Sequence, residues 1–249
     1  MRAFRATPQA PSLSRRGLMD LVGLGALAGA GALAGCAGTQ AAAVGDAAAK
    51  LDPLPPASPN PEDPFGVDCT ITMDTIDDWL NRPDVVYRDL RLLRDPASYE
   101  EIGGSATLDF MLEGFTMIPY PYIGTLQQLP VAGAYTGPTL FDVVWNADGT
   151  IASATANYEQ SRRIVEELFP PHKPLFLMCG GAGYAHMMQT LLIYLGWDPQ
   201  LVYNVGGAWS YTGYHLIELT HHNADGSLSF FTWRAPTVPI EFAAYTPVA

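Results

Sequence analysis

The side chain with the clearest chemical potential is a cysteine at the end of an apolar run. Cys179 follows residues 174–178 and opens a turn of small residues, 180–183, that leads into an apolar helical pattern. A thiol at this junction faces backbone N–H groups and the positive end of a helix, and both favour an anion. The spacing therefore predicts a lowered pKa for the Cys179 thiol, which would make the sulfur nucleophilic.

Strands and helices alternate around this cysteine and must position it. The apolar periodicity predicts strands over 67–72, 85–87, 115–118, 175–178 and 201–205, and helices over 75–80, 158–169 and 184–195. This alternation indicates an α/β fold, with a parallel sheet that carries helices on both faces. Two runs of β-forming residues around Asp-Gly turns, 140–155 and 215–233, predict two additional β-hairpins.

The N-terminus has the pattern of a targeting segment. Arg15 and Arg16 precede an apolar stretch rich in alanine and glycine, which ends at Leu33-Ala34-Gly35-Cys36. This order resembles a twin-arginine signal peptide, 1–35, followed by lipidation at Cys36. The alternatives are a transmembrane anchor, for which the stretch falls short of roughly 18 apolar residues, and the general secretory route. We expect a protein anchored by lipid on the extracytoplasmic side of the cell membrane.

Composition divides the rest of the chain. Residues 36–64 are rich in alanine and proline, which predicts a disordered tether. Residues 65–235 have the length of one domain, and 236–249 remain as a C-terminal tail. The net charge is −12, and removal of 1–35, with four arginines and one aspartate, makes it −15. So acidic a chain opposes nucleic acid, and we expect no nucleic-acid partner.

Three cysteines limit the redox chemistry. If Cys36 carries lipid, only Cys69 and Cys179 remain, too few for a disulfide framework. They form either one bridge or two free thiols, and the sequence leaves both alternatives open.

Five segments occur in order between residues 67 and 210. The first is Tyr87-Arg88-Asp89-Leu90-Arg91, and the second contains the acidic residue, tyrosine and glycines of 95–104. The third is the strand 115–120, which runs into Ile118-Pro119. The fourth is the strand, loop and helix of 176–197, and the fifth is the strand with paired glycines at 202–207. As an ordered set they resemble the rhodanese-like domains. Relative to that family the hairpin at 140–155 is an insertion.

The resemblance implies an active-site loop that begins at Cys179. In the family this cysteine takes up a sulfane sulfur as a persulfide and passes it to a thiol or to cyanide. The backbone amides expected to bind the persulfide are those of Gly180, Gly181, Ala182, Gly183 and Tyr184. The expected partners are a small sulfur donor and a thiol acceptor, with no cofactor and no metal, and an unidentified protein partner stays possible in this scheme.

The loop departs from the family in its charge. It carries no arginine or lysine, so thiosulfate is disfavoured, and polysulfide, persulfide or a small thiol is favoured as the sulfur source. The related phosphatases have an arginine six positions after the cysteine, where this chain has Ala185, so a phosphatase is excluded. Two alternatives to the transferase stay open, a non-catalytic binding module and a thiol redox sensor.

Other side chains have two alternative roles. His186, in the first turn of the following helix, is a candidate auxiliary group for the thiolate, or it covers the helix surface. Asp89 and Arg91 at a strand end either shape the pocket or form a structural salt bridge. Trp209, with Tyr211 and Tyr214, either forms the rim of the pocket or packs in the core. His215, His221, His222 and Asp225 are weak candidates for a metal site.

Overall fold

The computed structural model describes residues 51–92, 108–127 and 135–248. The predicted signal peptide and Cys36 lie outside these residues, as does the segment 95–104. The chain divides into two units, Met1–Leu51 and Asp52–Ala249, and the second contains the described fold. None of its described helices is both long enough and apolar enough to span a bilayer.

The described chain contains ten strands and three α-helices. They are β1 (Val86–Asp89), β2 (Phe110–Leu112), β3 (Thr116–Met117), α1 (Tyr120–Ile123), β4 (Phe141–Trp145), β5 (Ile151–Ala156), α2 (Ser161–Leu168), β6 (Leu175–Cys179), α3 (Gly183–Tyr194), β7 (Val202–Gly207), β8 (Leu216–Glu218), β9 (Thr220–His222) and β10 (Leu228–Phe230). The short helix predicted over 75–80 is a 3-10 helix, Ile76–Trp79.

The central sheet has four strands in the order β3-β1-β6-β7, and every neighbouring pair is parallel. All five residues of β6 are buried, which explains why this strand is an uninterrupted apolar run. The predicted α/β fold with a parallel sheet is confirmed at this level. Because β6 lies between β1 and β7, its last residue stands in the middle of the sheet's carboxyl edge.

The two faces of the sheet are covered differently. Leu175, Leu177 and Cys179 point to one face, where buried residues of α1, α2 and α3 complete a hydrophobic cluster. Phe176 and Met178 point to the other, where the 3-10 helix, the β2–β8 pair and loops supply the cover. The prediction of helices on both faces is therefore wrong for the α-helices that the structure describes, since all three share one face.

The sequences of α2 and α3 account for their positions. In α2, Ile164, Val165 and Leu168 face the core, while two arginine–glutamate pairs four residues apart cover the exposed side. The helix α3 is apolar almost all round, since most of its residues are buried. It ends before Gly196, whose φ of 99° is a left-handed value that glycine adopts without strain.

The first predicted hairpin is confirmed, and the second is confirmed over 220–230, a shorter span than the predicted 215–233. The strands β4 and β5 pair antiparallel, as do β9 and β10, and each pair encloses its Asp-Gly turn. The sequence did not indicate that β8, just before the second hairpin, pairs with β2 from the first half of the chain.

The domain begins earlier than predicted, so a disordered tether over 36–64 is wrong for the part that the structure describes. The Tyr203 hydroxyl donates to the Pro55 carbonyl at 2.6 Å, and the Ala57 N–H donates to the Gln200 carbonyl at 3.0 Å. Leu54 also packs against the core. Proline has no N–H to satisfy, so a proline-rich segment can lie along the domain with few backbone donors left unpaired.

No strand forms over 67–72, contrary to the prediction. The Asp68 carboxylate is buried and accepts hydrogen bonds from the N–H groups of Ser58, Thr70 and Ile71. Such local bonds bend the chain into a turn and compete with strand pairing. The Asp68 N–H nevertheless donates to the Asn204 carbonyl at 2.8 Å, which covers the outer edge of β7.

The predicted C-terminal tail, 236–249, packs on the domain through residue 248. The Met117 N–H donates to the Pro236 carbonyl at 2.7 Å, which covers the outer edge of β3. Further on, Phe242 and Tyr245 pack against the helical face, where both rings contact Tyr158. The two ends of the described domain therefore close the two edges of the central sheet.

Candidate functional site

The candidate site lies where β6 ends and α3 begins. Cys179 is the last residue of β6, and its side chain points toward the helical face together with Leu175 and Leu177. Only three residues separate it from Gly183, the first residue of α3. The thiol is buried, with 3% of Cys179 exposed. The predicted strand, turn and helix are thus confirmed, but the sulfur is enclosed in the described fold.

The Cys179 sulfur occupies the position of a helix cap. The residue before α3 is Ala182, whose side chain has no hydrogen-bond acceptor to cap the first turn. The N–H groups of Tyr184 and Ala185, the second and third residues of α3, hydrogen-bond to the thiol instead. Tyr184 is one of the residues whose N–H was predicted to bind the sulfur, and its N–H does contact the sulfur. Ala185 was not predicted, because the usual cap of a helix is a polar side chain and not a thiol.

The thiol is not ionised in this arrangement. Burial raises the pKa of Cys179 from 9.0 to about 11, although the N–H groups of Ala185 and Tyr184 act to lower it. Asp89 also raises this pKa, and Arg91 lowers it. The prediction of a lowered pKa is wrong for the structure described, because the desolvation of a thiolate outweighs two amide dipoles.

Ala182 has an unusual backbone for a residue with a side chain. Its φ of 69° and ψ of −16° are left-handed values, which cost an L-residue about 1–2 kcal/mol. The Ala182 carbonyl accepts from the His186 N–H at 2.9 Å and so begins the helix. Non-glycine residues in this region concentrate at ligand and catalytic loops.

The glycines of the loop are required by packing. A Cβ on Gly180 would lie 2.8 Å from the Trp209 ring, and one on Gly181 would lie 2.9 Å from it. A Cβ on Gly207, in β7, would lie 2.3 Å from the Gly180 carbonyl oxygen. The backbone N–H of Trp209 in turn donates to that oxygen at 3.1 Å. These glycines let the loop, β7 and an indole ring pack in contact, which the sequence did not indicate.

A cleft of about 530 Å³ lies on the outer side of the loop. Trp209 forms one wall, and Phe65, which lies 3.6 Å from the position of a Cβ on Gly183, forms another. Its charged lining residues, within the described chain, are Asp63 and Asp74. Trp209 thus belongs to a rim, as one prediction had it, but Cys179 does not line this cleft.

The other two aromatic residues differ from Trp209. Tyr211 is buried, and its hydroxyl donates to Asp77 at 2.6 Å, so it packs in the core. Tyr214 is 96% exposed and lines none of the described clefts near the loop.

Asp89 and Arg91 form a buried ion pair beside the thiol. The Arg91 Nη2 donates to the Asp89 carboxylate at 2.6 Å and to the Phe110 carbonyl at 2.9 Å. Both side chains are almost completely buried. The structural salt bridge considered from the sequence is confirmed, and its electrostatic effect on Cys179 shows that it also lies near the site.

The His186 ring lies beside Phe65 and Gly66. His186 has a pKa lowered by desolvation, and its ring centroid lies 6.4 Å from that of Phe65. It is absent from the groups that act on the Cys179 pKa, so the auxiliary role considered from the sequence is not supported. It covers the outer side of α3 instead.

Both described cysteines are free, with Cys69 exposed and Cys179 buried. The histidines considered as metal ligands pair singly with surface carboxylates, as His221 does with Glu218 at 3.0 Å. Within the described residues no group of three or more potential ligands is placed to hold a metal ion.

No protein-family model matches this chain, and neither a curated protein nor a solved structure matches it.

Proposed function

We propose that this protein is a sulfurtransferase of the rhodanese-like kind, which carries a sulfane sulfur as a persulfide on Cys179. The observation that carries the proposal is the pair of N–H groups at the start of α3, Tyr184 and Ala185, directed at the sulfur at the end of a central strand. A persulfide is a compact anion with a lower pKa than its thiol, so the same donors stabilise it more effectively than they stabilise the thiol.

The proposed reaction involves no net redox change. The Cys179 thiolate attacks the outer sulfur of a donor persulfide, a new sulfur–sulfur bond forms, and the donor leaves as a thiolate. An acceptor thiolate then attacks the outer sulfur on Cys179 and restores the enzyme thiol. Because the resting thiol is buried, with a pKa of about 11, the loop has to open before the proton leaves and the donor enters.

Mass spectrometry of the intact protein tests the proposal. We expect the full chain to gain one sulfur after incubation with inorganic polysulfide and to lose it on addition of cyanide. The gain should persist in Cys69→Ala and disappear in Cys179→Ala. The proposal is wrong if the added sulfur is lost in Cys69→Ala and kept in Cys179→Ala. It is also wrong if Cys179 is alkylated in the native protein, and so is accessible, yet gains no sulfur.

A second candidate is a non-catalytic binding module that keeps this fold. The burial of Cys179 and its raised pKa favour it, because a thiol that serves only to cap α3 has no need of solvent access. The same mass measurement separates the two functions, since a capping thiol gains no sulfur. Loss of two hydrogens on oxidation would instead indicate the third alternative, a redox sensor that pairs Cys69 with Cys179.

We propose further that the protein is exported and attached to the membrane through lipid on Cys36. The support is the order of Arg15 and Arg16, the apolar stretch and Leu33-Ala34-Gly35-Cys36 in the sequence. Cys36→Ser should release the protein from the membrane fraction, while replacement of both arginines by lysine should block export. Retention of Cys36→Ser on membranes after a carbonate wash would contradict lipid anchoring.

A further inference from the structure

The cleft on the outer side of the Cys179 loop has the walls of a cation-binding site. Two aromatic rings lie on the loop, Trp209 against Gly180 and Gly181, and Phe65 near Gly183. Trp209 is 50% exposed and Phe65 is 39% exposed, so both rings present surface to a ligand. An exposed aromatic face attracts a cation through its quadrupole, and tryptophan does so most strongly.

The charges around the cleft have one sign. Within the described residues, Asp63 and Asp74 are the charged side chains that line it, and no lysine, arginine or histidine joins them. One oxygen of Asp63 accepts from the N–H groups of Phe65 and Val67, which holds that carboxylate at the wall. These two carboxylates repel an anion, whereas a cation gains from both.

The size and position of the cleft suit a small organic ligand. Its volume of about 530 Å³ is within the range of ligand pockets, and apolar groups from Val67, Met73 and Val205 form part of the lining. It lies beside the carboxyl ends of β6 and β7, where parallel sheets place their ligands. An inorganic cation would gain little from rings and methyl groups, and a neutral apolar ligand would make no use of the carboxylates.

We propose that this cleft binds an organic ammonium ion, which packs between Trp209 and Phe65 with its charge toward Asp63 and Asp74. The site is distinct from the sulfur of Cys179, which does not line it. Binding at this cleft therefore does not depend on the proposed sulfur transfer. Contact with Gly180 to Ala182 means that an occupant touches the same loop from its outer side.

Choline and its uncharged carbon isostere, 3,3-dimethyl-1-butanol, test this proposal by calorimetric titration of the full chain. We expect saturable binding of choline and at least about fivefold weaker binding of the isostere, which has the same shape without the charge. Choline should also quench tryptophan fluorescence, and Trp209→Phe should abolish that quenching because it removes the reporter at the wall.

Charge variants give the matched control. The double variant Asp63→Asn, Asp74→Asn should weaken choline binding by about fivefold or more, because it removes both carboxylates of the cleft. The double variant Asp148→Asn, Asp225→Asn removes the same charge from two hairpin turns and should leave binding unchanged. The proposal is overturned if choline shows no saturable binding, if the isostere binds equally well, or if both double variants behave alike.

Discussion

Replacement of Ala182 by glycine should leave the stability of the protein nearly unchanged, whereas the same replacement at Ala185 should destabilise it. Ala182 has a left-handed backbone, and relief of its Cβ is worth about 1–2 kcal/mol. Glycine also gives the unfolded chain more freedom, which removes about 0.4–1 kcal/mol of that gain. Ala182 is also buried, so loss of its methyl group costs a further amount of about 0.8 kcal/mol. These effects nearly cancel, and the free energy of unfolding of Ala182→Gly should stay within about 0.8 kcal/mol of the wild type.

Ala185 is the contrasting position. It is completely buried in the first turn of α3, and its backbone is right-handed helix. Glycine there loses about 1 kcal/mol of helix propensity and about 0.8 kcal/mol from one buried methyl group. We expect Ala185→Gly to lower the free energy of unfolding by about 1.5–2 kcal/mol.

Urea denaturation followed by circular dichroism measures both variants under one set of conditions. In thermal unfolding followed by the same signal, a chain of this size should show Ala182→Gly melting within about 2 °C of the wild type and Ala185→Gly several degrees lower. If both variants are destabilised by similar amounts, residue 182 does not have a left-handed backbone in solution.

Three further predictions concern residues around the thiol. Gly207→Ala should lower the free energy of unfolding by about 2–3 kcal/mol in urea, since its Cβ would overlap a loop carbonyl. Gly183→Ala should change it little, because its Cβ would make an ordinary van der Waals contact with the Phe65 ring at 3.6 Å. Burial raises the pKa of Cys179 from 9.0 to about 11. The free energy of unfolding that the protonated thiol contributes is therefore complete below pH 9 and is lost as the pH rises through 11. Between pH 8 and 11 the wild type should therefore lose about 2–3 kcal/mol more than Cys179→Ala, and parallel pH curves would refute this. Asp89→Leu should cost about 3–5 kcal/mol by removing the carboxylate that neutralises a buried guanidinium. Added Arg91→Met should restore much of this loss, which a urea double-mutant cycle measures.

The parts of the fold that the sequence predicted are those with strong local signals. The apolar run of β6, the small-residue turn and the apolar α3 follow one another without interruption, so their order needed no long-range information. The two hairpins were predicted because an Asp-Gly turn between β-forming runs is itself local.

The features that were missed depend on contacts between distant segments. A buried carboxylate at Asp68 turns the run 67–72 away from a strand, and its partners include Ser58. The pairing of β2 with β8 joins residues more than 100 positions apart. Prolines at 53–56 predicted disorder from composition, but the Pro55 carbonyl accepts from the Tyr203 hydroxyl, and the neighbouring Asp52 carbonyl accepts from the Arg82 guanidinium.

The position of the reactive sulfur was predicted correctly, but its protonation state was not. The position of Cys179 beside helix amides followed from spacing, and the structure bears it out. Its ionisation depended on how completely the surroundings exclude water, which residue spacing does not report. Trp209 was one of several aromatic candidates, and its contact with Gly180 and Gly181 became evident only from the fold.

The closure of both sheet edges by the ends of the domain has a consequence for handling the protein. Asp68 covers the outer edge of β7, and Pro236 covers that of β3, each through one backbone hydrogen bond. Trimming the chain at either end exposes unsatisfied strand donors and acceptors, which are templates for pairing between molecules. Shortened versions should therefore self-associate into aggregates at concentrations where the intact chain stays dispersed.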